Sequence, residues 1–222
     1  TRLPWKLNAT CALRSSSVTI IEHPLIADRL TRLRDKRTTP REFRLLLHNI
    51  AILMAAEVTA NLATSACRVE TPIEESEGRQ LSMPIILVPV LRAGLTLTEG
   101  FLSAIPEATV AHIGLRRNHK TLEPELYYPN PSVDFTNSTT IVLDPMLATA
   151  GTAIETIRIL QKQGAERISF ACVIAAPEGL EALQAAQPSL PVSVAAVDRC
   201  LNENGYICPG LGDAGDRAFG TV

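Results

Sequence analysis

Residues 141–153 read Ile-Val-Leu-Asp-Pro-Met-Leu-Ala-Thr-Ala-Gly-Thr-Ala, and this stretch decides the fold class. It predicts a buried strand with Asp144 at its carboxyl end, a turn of small residues, and the start of a helix. Backbone N–H groups of residues 148–152, with the Thr149 and Thr152 hydroxyls, can bind an oxyanion at the positive end of the helix dipole. Asp144 can accept hydrogen bonds from a ribose diol. The stretch therefore predicts a ribose monophosphate site, although the small residues alone fit an ordinary strand-to-helix turn equally well.

Strand and helix patterns alternate around this stretch from residue 84 onward. Repeated strand–helix units with short turns predict an α/β fold, a parallel sheet with helices on both faces. Ligands of such sheets bind at the carboxyl ends of the strands, where residues 91–94, residues 144–152 and the segment from Asp198 all fall. The predicted strands cover residues 85–90, 109–115, 139–143, 168–175 and 192–197, and the predicted helices cover residues 95–105, 152–163 and 177–186.

A long helix is predicted before these units. Thr39 as N-cap, Pro40 in the first turn and Glu42 at the third position form a capping box. Apolar residues then recur at steps of three and four from Phe43, and the pattern continues towards Leu62.

Composition limits the classes of protein to consider. The chain has 222 residues, 46% of them hydrophobic, and a net charge of −2. This suits one domain over residues 22–222, preceded by a non-catalytic arm at 1–21. The charge balance argues against nucleic acid, and the longest apolar run, residues 83–91, is too short to span a membrane. We expect a soluble, cytoplasmic protein whose five cysteines are reduced and mostly buried, with no metal site formed by its scattered histidines.

The strand and helix pattern lapses between residues 116 and 138. This segment carries Arg116, Arg117, His119 and Lys120 and is too long for a tight connection. An excursion of this length is typical of a functional flap, which here could close over a polyanion. A solvated hairpin explains the segment equally well when it is considered alone.

The last 25 residues are rich in glycine. Gly205, Gly210, Gly212, Gly215 and Gly220 lie in this tail, so its backbone can approach a ligand closely. Exposed peptide N–H and C=O groups pair well with the edge of a flat heterocycle. The tail therefore predicts a base-binding segment.

Taken together, these motifs resemble uracil phosphoribosyltransferases, a family within the type I phosphoribosyltransferases. The resemblance extends from about residue 23 to residue 221, and the tail is what points to uracil. The motifs are Leu-Arg-Ala-Gly at 91–94, Thr-Leu-Glu-Pro at 121–124, the loop at 144–152, Ala-Ala-Pro-Glu-Gly at 175–179, and Gly-Tyr-Ile-x-Pro-Gly-Leu-Gly-Asp-Ala-Gly-Asp at 205–216.

The resemblance implies a role for each matching residue. Arg92 and Arg117 would contact the diphosphate, and Asp144 the ribose hydroxyls; these three and Asp213 would be the catalytic residues. It also implies a hood over the sheet, built from the N-terminal helices and the tail. Uracil would be bound at Ile207, Gly212, Asp213 and Ala214. The diphosphoribosyl substrate would be bound at Arg92, Arg117, Asp144, Pro145, Met146, Leu147, Ala148, Thr149, Ala150, Gly151, Thr152 and Asp213.

The same resemblance implies the reaction and its partners. Uracil and 5-phosphoribosyl 1-diphosphate would give UMP and diphosphate, in a salvage route to UMP. Mg²⁺ would be held mainly by the substrate diphosphate. The family includes members activated by GTP, and it forms oligomers from dimer to tetramer, so we expect a homo-oligomer.

Two residues depart from the family pattern. Ala150 stands where relatives usually have glycine, and Arg116 where they often have tyrosine. If residue 150 needs a positive φ, alanine there costs roughly 1 kcal/mol, and its methyl can crowd the phosphate. A weakly active or inactive homologue that acts as a nucleotide-binding or regulatory module is therefore an alternative. An unrelated sugar-phosphate enzyme is a further one, which the tail disfavours.

Overall fold

A computed structural model of the chain describes residues 17–117, 124–128 and 133–221. Its strands are β1 (Val18–Ile20), β2 (Thr64–Glu70), β3 (Glu75–Leu81), β4 (Ile85–Leu91), β5 (Thr109–Val110), β6 (Ile113–Arg117), β7 (Pro124–Tyr128), β8 (Thr139–Leu143), β9 (Met146–Leu147), β10 (Arg167–Ala175), β11 (Val192–Val197), β12 (Cys200–Leu201) and β13 (Ile207–Cys208). Its helices are α1 (Pro24–Arg34), α2 (Pro40–Thr59), α3 (Leu95–Ala104), α4 (Gly151–Lys162), α5 (Pro177–Ala186) and α6 (Ala214–Phe219).

The central sheet has the strand order β1-β11-β10-β8-β4-β6-β7, with β5 beside β4 and β9 beside β10. Its pairs are parallel except β6 with β7, which is antiparallel. The central strands are buried on both faces, which explains their continuous apolar sequences. The predicted α/β architecture is confirmed.

Two apolar clusters cover the two faces of this sheet. Successive residues of a strand point to opposite faces, so Leu87 belongs to one cluster and Val88 to the other. The first cluster includes α1, α2, α3 and parts of the tail. The second lies against α4 and α5. The N-terminal helices and the tail therefore share a face, as the expected hood requires.

The helix starts follow the sequence signals. Thr39 is the N-cap of α2, and its hydroxyl accepts the Glu42 N–H at 3.3 Å. The helix runs from Pro40 to Thr59, close to its predicted end. Phe43 and six other residues of its apolar stripe are buried. This helix packs against α1, α3 and α6 and reaches the sheet at β10.

Three segments differ from the sequence expectations or extend them. Residues 18–20 form an edge strand parallel to β11, so the sheet takes in part of the segment assigned to the arm. Its β-branched residues suit a strand. Residues 64–81 form the hairpin β2–β3, which the sequence did not predict because the apolar alternation of a half-buried strand is missing. The predicted strand at 109–115 is interrupted at residues 111–112.

The cysteine expectation is wrong for most of the described thiols. Cys172 is buried, whereas Cys67, Cys200 and Cys208 are partly exposed, and all four are free. Cys11 lies outside the described residues. Of the described helices, none combines the length and the hydropathy needed to cross a membrane.

Candidate active site

The predicted site residues lie where neighbouring parallel strands end. Arg92 follows β4, Asp144 follows β8, and Asp198 follows β11. Residues of β8 pair with both β4 and β10, so these strand ends lie along one edge of the sheet. The structure thus brings together three features that are far apart in the sequence, at the edge where such sheets bind ligands.

The loop at 144–152 connects β8 to α4 and is held from behind by β10. Met146 and Leu147 pair with Ile174 and Ala175, which places the loop on the sheet rather than in solvent. Ala150 is the N-cap of α4 and makes no side-chain capping hydrogen bond. The first N–H groups of this helix are therefore available to an anion, with the helix dipole behind them.

Ala150 has a φ of +64°, in the left-handed region. Alanine pays about 1–2 kcal/mol there, which glycine would not. The residue is only 4% exposed and belongs to the same apolar cluster as Ala153 and Ile157. Its methyl therefore packs inside the protein, and the structure supports the strain part of the expectation rather than the crowding part.

Two glycines allow the backbone around the loop to pack closely. A Cβ on Gly179, in the first turn of α5, would lie 2.2 Å from the Ala148 carbonyl oxygen. A Cβ on Gly94 would lie 2.4 Å from the Leu143 carbonyl oxygen. Real Cβ atoms do not approach backbone oxygens so closely, so any side chain at either position must displace the loop or the strand before it. Both glycines belong to motifs that the sequence singled out.

The Asp144 carboxylate is strongly affected by this environment. Burial raises its pKa to about 7, the Met146 N–H partly opposes this by donating to Oδ1 at 3.2 Å, and the charge of Asp213 raises the pKa further. Burial also raises the pKa of the Cys172 thiol, as does the charge of Asp144. A Cβ on Gly205 would lie 3.9 Å from Thr149 Cγ2, so the loop after β8 lies close to the tail.

Arg92 links the two ends of the site. It follows Leu91 through a cis peptide bond, and the Gly94 N–H closes the turn by donating to the Val90 carbonyl at 2.8 Å. Its guanidinium Nη2 lies 3.1 Å from Asp216 Oδ1, with 55% of the Arg92 side chain exposed. An exposed pair of this kind contributes about 0–1 kcal/mol, so the guanidinium can turn to a ligand at little cost.

Arg117 ends β6, where its backbone pairs with Pro124 of β7. Its side chain, and the predicted flap over residues 118–123 and 129–132, lie outside the described residues. The antiparallel β6–β7 pair forms the described part of the flap. The roles of Arg117 and of the flap stay predictions.

The predicted uracil positions lie along the tail. Ile207 is buried in β13, and Ala214 is buried at the start of α6. Gly212 has a φ of +77°, a conformation that favours glycine. Asp213 is the N-cap of α6, and its Oδ1 accepts the Asp216 N–H at 2.9 Å. The tail therefore presents backbone groups between the buried residues Ile207 and Ala214.

Arg34 and Arg217, which sequence reasoning missed, fix this tail to the hood. Arg34 donates to both carboxylate oxygens of Asp198 and to the Gly210 carbonyl at 2.7 Å, while Asp198 accepts the Gly210 N–H. Arg217 donates to the Leu33, Asp35 and Leu211 carbonyls and stacks 4.4 Å over the Phe43 ring. Their partners are remote in sequence, so no local pattern could reveal them.

A sizeable cleft lies elsewhere. It has a volume of about 750 Å³ and opens between α2, α3 and the end of α6. Arg41, Arg44 and His48 are among its lining residues, whereas the loop at 144–152 is not. The predicted site residues lie instead at the strand ends, where charged groups and the first N–H groups of α4 are close together.

The fold and the site together define a phosphoribosyltransferase of type I. A hypoxanthine phosphoribosyltransferase from Staphylococcus aureus is similar in fold alone, with 12% identity and a TM-score of 0.50 over 78% of this chain and 81% of that one. The solved AQ2163 protein from Aquifex aeolicus is similar at 34% identity, with a TM-score of 0.84 over 91% of this chain and 97% of that one.

The family follows from the sequence comparisons. A family model described as uracil phosphoribosyltransferase matches residues 20–221. The uracil phosphoribosyltransferase of Dictyoglomus turgidum is 50% identical, covering 92% of this chain and 99% of that one. The uracil phosphoribosyltransferase of Symbiobacterium thermophilum is 49% identical, covering 93% of this chain and 99% of that one. The chain therefore belongs to the uracil phosphoribosyltransferase family, as its motifs predicted.

Proposed function

We propose that this protein transfers the 5-phosphoribosyl group of 5-phosphoribosyl 1-diphosphate to uracil, which yields UMP and diphosphate. The observation that carries the proposal is the junction of two elements at one sheet edge. In this proposal the loop at 144–152 supplies donors for a phosphate and a contact for ribose, and the tail at 207–214 supplies backbone groups for the base. A Cβ on Gly205, in the turn before this tail, would lie 3.9 Å from Thr149 Cγ2, so the two elements are close. Arg92, at the end of β4, pairs with Asp216 just beyond the tail segment.

The 5-phosphate binds at the start of α4 in this proposal. N–H groups of residues 148–152 and the Thr149 and Thr152 hydroxyls are the donors, and the dipole of the 12-residue helix favours the negative charge. The hydrogen bond from the Met146 N–H holds one oxygen of Asp144, whose carboxylate accepts from the ribose hydroxyls. Phosphate and ribose are thus fixed before reaction, which lowers the entropic part of the barrier.

The reaction needs no covalent nucleophile. The bond from ribose C1 to the diphosphate oxygen breaks, a bond from C1 to uracil N1 forms, and the N1 proton is released. Positive charge develops on the sugar and negative charge on the leaving group. The Asp144 and Asp213 carboxylates stabilise the former, and the Arg92 and Arg117 guanidinium groups stabilise the latter.

Uracil selection is assigned to main-chain groups around Ile207, Gly212 and Ala214. A pyrimidine edge with alternating C=O and N–H groups complements peptide groups, and a purine would need more space. The buried Ile207 side chain provides an apolar wall. A site of this kind rejects bases that leave its buried polar groups unpaired.

Mg²⁺ is proposed as the metal of the reaction. Within the described ranges, His, Cys, Asp and Glu form no cluster of three that could hold a metal. The two carboxylates that face the site, Asp144 and Asp213, suit a hard cation that keeps most of its ligands from diphosphate and water. When bound, Mg²⁺ neutralises charge on the leaving diphosphate.

Activation by GTP stays a prediction from the family resemblance. Arg41 and Arg44 give the cleft between α2 and α3 cationic groups that suit a nucleotide phosphate, and His48 also lines it. Rates of UMP formation with and without GTP, in the unaltered protein and in Arg41→Ala, test this assignment. Activation that Arg41→Ala retains in full would place GTP elsewhere.

A homo-oligomer of two or four copies is likewise proposed. The hairpin β2–β3 forms its own two-stranded sheet, and Ile73 near its tip is 92% exposed. An apolar residue at the end of such an arm suits a contact with another copy. Sedimentation of the unaltered protein and of Ile73→Asp tests this, and unchanged mass in the variant would exclude the tip from the interface. The cytoplasmic location stays a prediction that cell fractionation can test.

The function itself is tested by an assay of UMP formation from uracil and 5-phosphoribosyl 1-diphosphate with Mg²⁺. The alternative, an inactive homologue that binds nucleotide, is favoured by the left-handed Ala150 in the phosphate loop. The assay is therefore run in parallel on Ala150→Gly. UMP from the unaltered protein supports the enzyme. No UMP from it, but turnover in Ala150→Gly, supports the inactive homologue.

A further inference from the structure

Two cysteines face each other beside the proposed uracil site. In the antiparallel ribbon β12–β13, Cys200 is paired directly with Cys208, and Leu201 with Ile207. Both cysteines are partly exposed and both are free thiols. Cys208 follows the buried Ile207, a proposed uracil contact, without an intervening residue.

The register places both sulfurs on one face of the ribbon. Directly opposed residues of an antiparallel pair have Cα atoms about 4.5–5.5 Å apart, within the range of about 4.4–6.8 Å that a disulfide spans. The Cys208 Sγ lies 3.8 Å from the Tyr206 carbonyl oxygen. That oxygen accepts the N–H of Asn202, the residue just after β12, at 2.8 Å. The Cys208 sulfur therefore lies near the seam between the two strands.

We propose that Cys200 and Cys208 form a reversible disulfide that controls uracil binding, an inference that rests on the proposed function. A peroxide is the oxidant. It converts one thiol to a sulfenic acid and releases one water; the second thiol displaces the hydroxyl, which leaves as a second water. Two S–H bonds are lost, one S–S bond forms, and the peroxide is reduced. A dithiol reverses the reaction, as a transient disulfide in a reducing compartment requires.

The backbone around this pair explains why the disulfide acts on uracil. The Arg199 N–H donates to the Cys208 carbonyl at 2.9 Å, and Asp198 holds the Gly210 N–H two residues further along. Opposed Cβ atoms lie about 4.5–5.5 Å apart, and a disulfide needs about 3.5–4.5 Å. Closing that gap draws β13 towards β12 and shifts Ile207. Most residues assigned to the diphosphoribosyl substrate lie on other segments, at 92 and 144–152, so uracil binding is affected more than binding of that substrate.

The chain provides a matched control. Cys67 is also a partly exposed thiol on an antiparallel hairpin, but the residue opposite it is Gly78. It therefore has no sulfur across the ribbon. Cys67→Ser removes a thiol of similar exposure that lies outside the proposed site.

The experiment treats the folded protein with hydrogen peroxide, blocks the remaining thiols, and maps linked peptides by mass spectrometry without reduction. We expect a Cys200–Cys208 link that has lost two hydrogens and that dithiothreitol abolishes. In the oxidised protein the KM for uracil changes by about threefold or more, and the KM for 5-phosphoribosyl 1-diphosphate changes less. Cys67→Ser keeps this response, whereas Cys200→Ser and Cys208→Ser lose it.

Two results would overturn the inference. One is that peroxide gives no Cys200–Cys208 link, and the other is that the link forms without changing the KM for uracil. Failure of the proposed function is distinguishable, because a protein that makes no UMP even when reduced fails the assay before any oxidation. Peptide mapping reports on the link independently of activity.

Discussion

Arg34 and Asp198 form a two-point ion pair between residues 164 positions apart, with Nη2–Oδ1 at 2.5 Å and Nη1–Oδ2 at 2.7 Å. The Asp198 side chain is 5% exposed. Arg34 also donates to the Gly210 carbonyl, and Asp198 accepts the Gly210 N–H, so the pair binds both backbone polar groups of this glycine in the tail. A substitution of Arg34 at the end of α1 therefore alters the support of the proposed base-binding segment.

Arg34→Ala is expected to lower the free energy of unfolding by about 3–5 kcal/mol, because it leaves a buried carboxylate without its cation. The KM for uracil should rise as the tail loosens. Chemical denaturation of Arg34→Ala, Asp198→Ala and the double variant measures the coupling between the two residues. Purely additive losses would show that the pair is not a unit.

Gly179→Ala should destabilise the protein by about 2 kcal/mol or more and should weaken 5-phosphate binding, since the new Cβ would meet the Ala148 carbonyl oxygen. Gly151→Ala is the matched control for stability in the same region, because a Cβ there would meet no protein atom within 4 Å. Thermal unfolding is measured for both variants, and the KM for 5-phosphoribosyl 1-diphosphate is measured for Gly179→Ala. Equal effects of the two changes would contradict the close packing of α5 against the loop.

Ala150→Gly relieves the left-handed strain of about 1–2 kcal/mol but removes a buried methyl worth about 0.8 kcal/mol and adds unfolded-state freedom. These contributions nearly cancel, so the free energy of unfolding should change by less than about 1 kcal/mol. Urea denaturation measures it. A larger stabilisation would mean that the methyl contributes little to packing, and a larger loss would mean that the strain is small.

Arg92→Ala is expected to keep the fold and to lower kcat/KM by about 100-fold, the usual effect of removing a donor that stabilises transition-state charge. The Arg92–Asp216 pair is largely exposed, so the loss of stability should be below about 1 kcal/mol. Asp216→Asn is the control, since it weakens the pair and leaves the guanidinium. Near-normal kcat/KM in Arg92→Ala would refute the diphosphate role.

Asp144→Asn should stabilise the free protein at pH 8 more than at pH 5. The pKa of Asp144 is raised from 3.8 to about 7 in the folded state, so between those values the folded protein holds a proton that the unfolded chain releases. The contribution of Asp144 to stability is therefore present below about pH 4 and is lost as the pH rises through 7. Asparagine does not titrate. Melting temperatures without ligand at both pH values test this, and an equal difference at both would contradict the raised pKa.

Local signals account for what the sequence could predict. The N-cap hydrogen bond from the Glu42 N–H to Thr39 joins residues three apart, while the Glu42 carboxylate pairs with Arg32 instead of completing the predicted capping box. The apolar runs of β4, β8 and β10 reflect burial on both faces. The loop at 144–152 was recognisable because small residues, an acid and a helix start occur in one short stretch. Such features need no knowledge of the rest of the chain.

Long-range and exposed features could not be predicted in the same way. Arg34 lies in a helix that begins with an ordinary Pro-containing turn, and nothing near it indicates Asp198 as its partner. The hairpin β2–β3 packs little apolar surface, so it lacks the alternation that marks a strand. At residue 150 the sequence shows an alanine where relatives usually have glycine. The sign of φ there depends on how the folded backbone turns into α4, so the sequence could not predict it.

The contacts of Arg34 and Arg217 also have a consequence for the order in which the protein acquires activity during synthesis. Their partners span the first helix and the last 25 residues, so the base-binding end is assembled only after the sheet has been translated. A nascent chain that has completed β11 can already present the phosphate loop. We therefore expect the proposed phosphate loop to be in place before the proposed base-binding tail, so that specificity for the base is the last property the chain acquires.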